Sequence, residues 1–289
     1  MVTTTRTAGP PAVRRERSRA ASIGLHALLL SATAIALFPI MWIVLTSLKP
    51  RDAWRTSTVQ LFSDPSLDNY VQLLTTTDFL RWFANSVIVA TGTMVFGVFV
   101  SATTGYALSR FRFPGMRPLL WSLLVTQMFP VAILIVPLYN VLASLGLINN
   151  HGGLMLAYLT VAVPFCAWMM RGYFNTIPVE IDEAGRVDGL SPFGTFWRLI
   201  VPLARPGLAV TAFYSFVTAW GEVAYASAFM ISNDNYTLAR GLQLFVGQHM
   251  AEWGLLTAAS VLIAVPAALV FLVVQRNLVT GLTAGANKA

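Results

Sequence analysis

Six long apolar stretches run through this chain of 289 residues and restrict what it can fold into. Each reaches the roughly 20 apolar residues that a helix needs to cross a bilayer. They cover residues 23–47, 84–108, 118–142, 153–174, 207–231 and 256–276. Hydrophobic residues make up 56% of the chain and charged residues 11%, which is typical of a multispanning membrane protein. The sequence therefore predicts an all-α membrane protein with six transmembrane helices.

Prolines lie near the middle of the third and fourth stretches. Pro130 and Pro137 lie in the third stretch, and Pro164 lies in the fourth. A proline inside a helix removes a backbone hydrogen bond and clashes with the preceding turn. Irregular backbone is tolerated within a membrane where it is buried in protein or lines a cavity. We therefore expect kinks or breaks in these two spans.

The basic residues predict the orientation of the chain. With the N-terminus inside, five of the 19 Lys and Arg residues lie outside and the remaining 14 lie inside. Cytoplasmic loops carry such an excess, so both termini are expected in the cytoplasm. Residues 1–22 are expected to form a disordered basic tail that could contact anionic lipid, residues 23–285 the membrane domain, and residues 286–289 a cytoplasmic tail. The net charge of +7 is then explained by insertion, and no nucleic-acid partner is expected.

A polar segment, residues 178–202, separates the fourth and fifth stretches. Its first part opens with Pro178, which suits the first turn of a helix. Glu180, Asp182 and Glu183 crowd the same end, where the helix dipole favours negative charge. Gly189 is a natural C-terminal stop. The pattern predicts a short cytoplasmic helix.

A second short helix is predicted directly after this one. Ser191 and Pro192 have the residue types of an N-cap and a first helical position. Pro202 is expected to stop the helix. Ala184 and Gly185 would leave a notch of small residues on the first helix. A helix, a glycine turn and a second helix of this kind would suit an element held in the groove of a partner.

The same segment resembles the EAA signature of the membrane subunits of ATP-binding-cassette (ABC) importers. Glu183, Ala184, Gly189 and Pro202 match its spacing, while Gly185 stands in place of the second alanine. Leu199 and Val201 are conservative replacements. The resemblance extends over about residues 25–285. Three further segments resemble the maltose-type carbohydrate permeases: Asn85 and Ser86, residues 236–239, and Trp253 with Gly254.

The resemblance implies a type I ABC importer transmembrane domain with its coupling helices at residues 178–202. It implies a permease subunit that forms half of the translocation pathway of an ATP-driven, binding-protein-dependent sugar importer. The expected substrate is an oligosaccharide such as a maltose- or trehalose-like sugar. The implied partners are a second permease, two copies of an ATPase subunit or a related pair, an extracytoplasmic sugar-binding protein and membrane lipid. ATP and Mg would be bound by the ATPase, and the implied location is the bacterial inner membrane.

The resemblance also suggests three groups of site residues. Those expected to couple to the ATPase are Glu183, Ala184, Gly185, Asp188, Gly189 and Pro202. Those that could line the translocation pathway are Glu222, Trp220 and Gln127. Those expected to reach the binding protein are Gly247, Gln248 and His249, at the tip of an exterior segment, residues 232–255.

Each of the last two groups has a structural alternative. Glu222, the one carboxylate clearly inside a predicted span, could instead tie helices together. Trp220 and Gln127 could satisfy neighbouring helices. The exterior segment could be an ordinary solvated loop.

The chain lacks the residues of an ATP site of its own. A phosphate-binding P-loop needs Gly-Lys followed by Ser or Thr, and the two lysines, Lys49 and Lys288, follow Leu48 and Asn287. The three histidines are scattered and suggest no metal centre. Cys166 stands alone and is expected to be a small core residue. We therefore expect a subunit that is not catalytic by itself.

Two other functions fit part of the sequence. The same architecture could import glycerol phosphate or a polyol, although arginines concentrated along the pathway would favour a phosphate and the span centres carry none. An ion-coupled secondary carrier is the other possibility. It would leave the EAA-like segment unexplained.

Overall fold

The computed structural model describes residues 19–50, 65–246 and 252–286, with side chains over residues 22–50, 65–246 and 252–277. Helices joined by turns account for this part of the chain, as the sequence predicts. The α-helices are α1 Arg19–Ser47, α2 Asp68–Thr76, α3 Phe79–Arg110, α4 Met116–Thr126, α5 Val131–Ser144, α6 His151–Phe174, α7 Glu180–Val187, α8 Pro192–Thr195, α9 Val201–Leu203, α10 Arg205–Trp220, α11 Ala224–Phe229, α12 Leu238–Leu242 and α13 Trp253–Ala286. A π-helical segment, Phe196–Ile200, joins α8 to α9, and 3₁₀ turns lie at Asn233–Asn235 and Gln243–Phe245.

Four helices of the described chain are long and apolar enough to cross a membrane: α1, α3, α6 and α13. Two pairs of helices pass the same test together but bend sharply. The axes of α4 and α5 differ by 113°, and those of the helical stretch Pro192–Leu203 and α10 differ by 84°. The number of spans is therefore four, or six if each bent pair forms one.

The break predicted in the third span is confirmed. The chain breaks between Thr126 and Val131, where Pro130 has an extended backbone with a ψ of 135°. A proline disfavours helical backbone at the residue before it, so the helix ends ahead of Pro130. By contrast, α5 continues through Pro137 and α6 through Pro164 without a break.

The fifth predicted span, residues 207–231, is wrong as a single helix. The helix α10 ends at Trp220, and α11 begins at Ala224. The carboxylate of Glu222 accepts hydrogen bonds from the N–H groups of Tyr225 and Ala226, at 2.9 to 3.1 Å. It thereby satisfies the first turn of α11, whose N–H groups have no partner within the helix.

Close contact between helices forms the centre of the bundle, where α3 packs against α6 and α10. At Gly105 of α3, an added Cβ would lie 2.7 Å from Cβ of Met170 and 2.9 Å from the backbone nitrogen of Arg171. Small residues at such interfaces let helix backbones approach within a membrane. Cys166 is buried in the same region, as predicted. The helix α1 packs against α13, and the side chains described in its apolar stretch are almost all exposed.

Candidate functional site

The segment of residues 178–202, here called the coupling element, has the predicted helix–turn–helix form. The helix α7 is followed by Gly189 with a φ of +77°, a conformation that L side chains rarely adopt. The N–H of Leu190 donates to the carbonyl of Gly185 at 2.9 Å, which closes the helix end. Ser191 caps α8 by accepting from the N–H of Gly194 at 3.1 Å. Both predicted helices and the glycine turn are therefore confirmed, although α7 begins at Glu180, two residues after the Pro178 that was predicted in its first turn.

Pro202, which was predicted to stop the second helix, lies one residue before its end at Leu203, after which the chain bends by 84° into α10. Helical backbone continues through it to Leu203. The π-helical segment lies immediately before, and the N–H of Val201 reaches back five residues to the carbonyl of Phe196. Pro202 lies in the first turn of α9, where a missing N–H costs little. The helix therefore absorbs the proline through a change in its hydrogen-bond pattern.

A buried ion pair ties the coupling element to the end of α3. Nε of Arg110 donates to Oδ2 of Asp182 at 2.8 Å, and the two side chains are 6% and 4% exposed. The hydroxyl of Tyr106 donates to Oδ1 of the same carboxylate at 2.5 Å. Nη2 of Arg110 donates to the carbonyl of Ile177 at 2.9 Å, just ahead of α7. The first turn of α7 is therefore fastened to α3 by charge-assisted hydrogen bonds, which are the stronger kind.

Sequence reasoning missed this role of Asp182, because it assigned all three acidic residues of the first turn to the helix dipole. Glu180 and Glu183 are exposed, whereas Asp182 is 3% exposed. A signal was available in the spacing, since Asp182 and Gly185 lie three residues apart and share one helix face. Both are buried, so that face packs against the protein.

Gly185 serves packing within the coupling element. A Cβ at this position would lie 2.8 Å from Oγ1 of Thr195 and 3.0 Å from Cδ1 of Leu199. The small residue lets α7 lie directly on the helical segment that follows it. Gly185 therefore does not form part of an open notch for a partner, which is the role that we predicted for it together with Ala184.

The outer face of the coupling element is open. Glu183, Ala184, Asp188 and Gly189 are all exposed, as an interaction with a partner requires. Between them lies Val187, which is 88% exposed and which sequence reasoning did not single out. Further apolar side chains of the element are exposed at Phe193 (61%) and Trp197 (43%). Phe193 and Trp197 lie edge to face at 6.1 Å, and the ring of Trp197 also stacks on Phe99 of α3.

Two of the three predicted pathway residues lie at helix breaks. Glu222 is half-buried between α10 and α11, where its carboxylate accepts from the N–H groups of Tyr225 and Ala226. Gln127 is exposed at the break between α4 and α5, and its Nε2 donates to the carbonyl of Val161 at 3.1 Å. Both residues therefore end or begin helices, and both retain some exposure.

The third predicted pathway residue, Trp220, does not line a path in this structure. It is 6% exposed, and its Nε1 donates to the carbonyl of Ile263 in α13 at 3.2 Å. Its ring stacks on Phe216 at 5.4 Å and meets Phe83 edge-on at 5.7 Å. The side chain is therefore a packing element between spans, which was the structural alternative for it.

At the opposite end of the molecule, the permease-like motifs bind one another. Nδ2 of Asn85 donates to the carbonyls of Asp234 and Tyr236 at 2.8 and 2.9 Å. Oγ of Ser86 accepts from the N–H of Leu238 at 2.7 Å. The start of α3 and the segment before α12 are thus held together by buried polar contacts.

The start of α13 packs closely against α2 at the same end of the molecule. A Cβ at Gly254 would lie 2.4 Å from Oδ1 of Asn69, whose Nδ2 donates to the carbonyls of Ser47 and Lys49 at 2.9 and 2.8 Å. A Cβ added at Gly241 would likewise overlap the ring of Trp82. These contacts and those of Asn85 and Ser86, here together called the platform, lie on both sides of the predicted binding-protein loop. Gly247, Gln248 and His249 themselves lie outside the described residues.

The apolar helices, with the coupling element at one end and the platform at the other, define a multi-pass membrane protein. Residues 95–283 match the family described as "Binding-protein-dependent transport system inner membrane component". The chain belongs to this family.

Characterised relatives agree with that assignment over most of the chain. The diacetylchitobiose uptake system permease protein NgcG of Streptomyces coelicolor is 31% identical over 90% of this chain and 87% of its own length. The maltose/maltodextrin transport system permease protein MalG of Salmonella typhimurium is 42% identical over 72% of each chain. The galactooligosaccharides transport system permease protein GanQ of Bacillus subtilis is 32% identical over 91% of this chain and 94% of its own.

A solved structure shares the fold. A chain of the bacterial ABC transporter that imports the acidic polysaccharide alginate superposes with a TM-score of 0.78, covering 90% of this chain and 98% of its own length. At 24% identity this likeness concerns the fold alone. It confirms the predicted architecture, that of the transmembrane subunit of a type I ABC importer.

Proposed function

We propose that this chain is the permease subunit of an ATP-driven oligosaccharide importer and that the coupling element transmits ATPase motion to its spans. The observation that carries the proposal is the contrast between the two faces of α7. One face is fastened to α3 through Asp182, Arg110 and Tyr106. The other presents Val187 and the exposed EAA-like residues. A helix that is bonded to a span on one face and exposed on the other can be displaced by a partner and can transmit that displacement to the span.

The mechanism follows from where the buried pair acts. Closure of the ATPase subunits would move α7, and the Arg110–Asp182 contact would carry that movement to the end of α3. Because α3 packs along α6 and α10, these helices would move with it and change access from one side of the membrane to the other. ATP and Mg would be bound by the ATPase, so that this subunit transmits energy without hydrolysing a nucleotide.

The names of the relatives support an oligosaccharide as the substrate. They concern diacetylchitobiose, galactooligosaccharides and maltose with maltodextrin. These sugars differ in composition and linkage but share chains of hydroxyl-rich rings. We propose a maltose- or trehalose-like sugar as the first class to test. Glu222 and Gln127 would be placed to hydrogen-bond sugar hydroxyls, since both stay accessible at helix breaks.

The proposed assembly contains a second permease, an ATPase pair and an extracytoplasmic binding protein. The open face of α7 supports the ATPase contact, and the many exposed apolar side chains of α1 support a lipid or permease neighbour. The platform around Asn85 and Asn69 would hold the loop toward the binding protein. The coupling element and both termini would face the cytoplasm.

The proposal is tested by purifying the chain gently from its native membrane and identifying its partners by mass spectrometry. The wild type should carry an ATPase subunit and a second permease. Gly189→Pro should lose the ATPase and sugar uptake at unchanged membrane abundance, because proline cannot adopt the φ of +77° at this turn. Gly172→Ala is the matched control, since an added Cβ there meets nothing within 4 Å.

Two results would overturn the proposal. A well-inserted Gly189→Pro variant with normal uptake would remove the coupling role. A wild-type chain that purifies without any ATPase and imports its solute on a proton or sodium gradient would favour the ion-coupled carrier. If glycerol phosphate or polyols compete for uptake and sugars do not, the ABC importer assignment stands but the substrate is not a sugar.

A further inference from the structure

Three arginines surround a cavity of about 670 Å³ beside the coupling element. Arg112 and Arg117 come from the segment between α3 and α4 and from the first turn of α4, and Arg171 comes from the last turn of α6. The same cavity is lined by Phe113, Met116 and Leu120. It therefore combines three cations with an apolar wall.

The positive charge of this cavity is not balanced within the described part of the chain. Arg112 and Arg117 are exposed, and neither forms an ion pair with a described residue. Arg171 is half-buried, and its Nε donates to the carbonyl of Leu108 at 3.3 Å. Like charges gathered around one cavity repel each other, so an anion that enters it would be bound favourably.

Arg171 is held in place for such a role. Its guanidinium lies 5.5 Å from the ring centroid of Trp168, one turn earlier on α6. The bond from Nε to Leu108 leaves the two terminal nitrogens of the guanidinium for other partners. The cavity therefore has one oriented cation and two adaptable ones.

The depth of the cavity indicates the source of the anion. Trp168 and Trp121 are 38% and 68% exposed and lie on the two helices that border it. Tryptophan side chains of membrane proteins gather at the level of the lipid headgroups. Basic pockets between helices at this level bind lipid headgroups. The apolar wall would contact the first methylene groups of an acyl chain, for which a soluble phosphate has no counterpart.

We propose that this cavity binds the phosphodiester headgroup of an anionic phospholipid, with Arg112 and Arg117 on the phosphate and Arg171 as the oriented donor. The site is distinct from the basic tail of residues 1–22 and does not depend on the sugar. It places a bound lipid next to Arg110, which holds the coupling element through Asp182.

The test is native mass spectrometry of the intact transporter complex, incubated in mild detergent with phosphatidylglycerol or with phosphatidylcholine. The wild type should retain phosphatidylglycerol preferentially. Arg112→Gln together with Arg117→Gln should weaken that preference, by roughly fivefold for each arginine (about 1 kcal/mol). Arg205→Gln is the matched control, because it removes an exposed arginine at the same end of the molecule but outside the cavity.

Several results would overturn the proposal. Equal retention of both lipids by the wild type would do so, and so would an equal loss in Arg205→Gln, which would indicate a general effect of charge. If the double variant releases the ATPase and binds phosphatidylglycerol as the wild type does, the cavity contacts the ATPase and not a lipid. If the double variant fails to assemble, Arg117→Gln alone, a change at an exposed side chain, should still show the fivefold loss. Unchanged retention in that variant would likewise contradict the site.

Discussion

Asp182 shows how one residue can change the interpretation of a whole segment. Its neighbours Glu180 and Glu183 are solvated, whereas its own carboxylate is enclosed by Arg110 and Tyr106. Burying two charges costs several kcal/mol for each ion, and their attraction with additional hydrogen bonds offsets that cost. Such a pair contributes more to the position of α7 than to net stability. The contact therefore determines where the coupling element sits.

We predict that removing either member of the pair is strongly destabilising. Asp182→Ala or Arg110→Ala leaves the other charge buried without a partner, at a cost of about 3–5 kcal/mol. The double variant should lose less than the sum of the two single losses, because no unpaired charge remains. Thermal unfolding of the purified complex measures the effect, and the sugar imported per ATP hydrolysed should fall in each single variant.

The control for this prediction lies on the same helix. Glu180→Ala removes an exposed carboxylate from the first turn of α7 and should change stability by about 0.5 kcal/mol or less. If Asp182→Ala were as mild as Glu180→Ala, the buried pair would not anchor the coupling element.

At the scale of elements, two long apolar stretches are divided into separate helices, the third at a proline where a kink or break is predicted and the fifth where a continuous helix is predicted. Pro130 ends α4 through its effect on the preceding backbone. Glu222 acts differently, because its carboxylate accepts two N–H groups of the next helix and so stabilises a restart at α11. Hydropathy registers the length of an apolar run but carries no information on such side chain to backbone bonds.

The close approach of α3 and α6 at Gly105 leads to a prediction on helix packing. Gly105→Ala should destabilise the bundle by about 1–3 kcal/mol. The added Cβ would meet Cβ of Met170 and the backbone nitrogen of Arg171 at under 3 Å, and backbone atoms cannot move aside without separating the helices. The measurement is the unfolding temperature of the detergent-purified complex.

A glycine on the facing helix provides the comparison. Gly172→Ala adds a Cβ that meets nothing within 4 Å, so stability should stay constant or rise by up to about 1 kcal/mol from helix propensity. A loss in Gly172→Ala equal to that in Gly105→Ala would show that the effect comes from the substitution of glycine in general and not from helix contact.

On the scale of the whole molecule, the two ends have different designs. One carries the coupling element with its buried ion pair, and the other carries the hydrogen-bonded platform of Asn85 and Asn69. We predict that the coupling end faces the cytoplasm. A membrane-impermeant maleimide should label Leu67→Cys in intact spheroplasts and should label Thr176→Cys only after lysis. Both positions are exposed at opposite ends of the molecule.

The native thiol makes this labelling experiment simple to interpret. Cys166 is fully buried, so the wild type should stay unlabelled before and after lysis. Labelling of Thr176→Cys in intact spheroplasts would reverse the orientation that we propose. It would also place the coupling element on the side of the membrane without ATP.

The sequence by itself determined the membrane class, the positions of most helices and the form of the coupling element. These properties depend on local physics: the length of an apolar run, an N-capping serine at Ser191 and a glycine free to adopt a positive φ at Gly189. Only the tertiary structure decided which face of α7 is open, that Gly185 packs inward and that Trp220 belongs to the core. The same is true of the three arginines that share a cavity. Burial and pairing depend on residues distant in the chain, such as Arg110 and Asp182, 72 positions apart, and a local pattern does not specify which of them will meet.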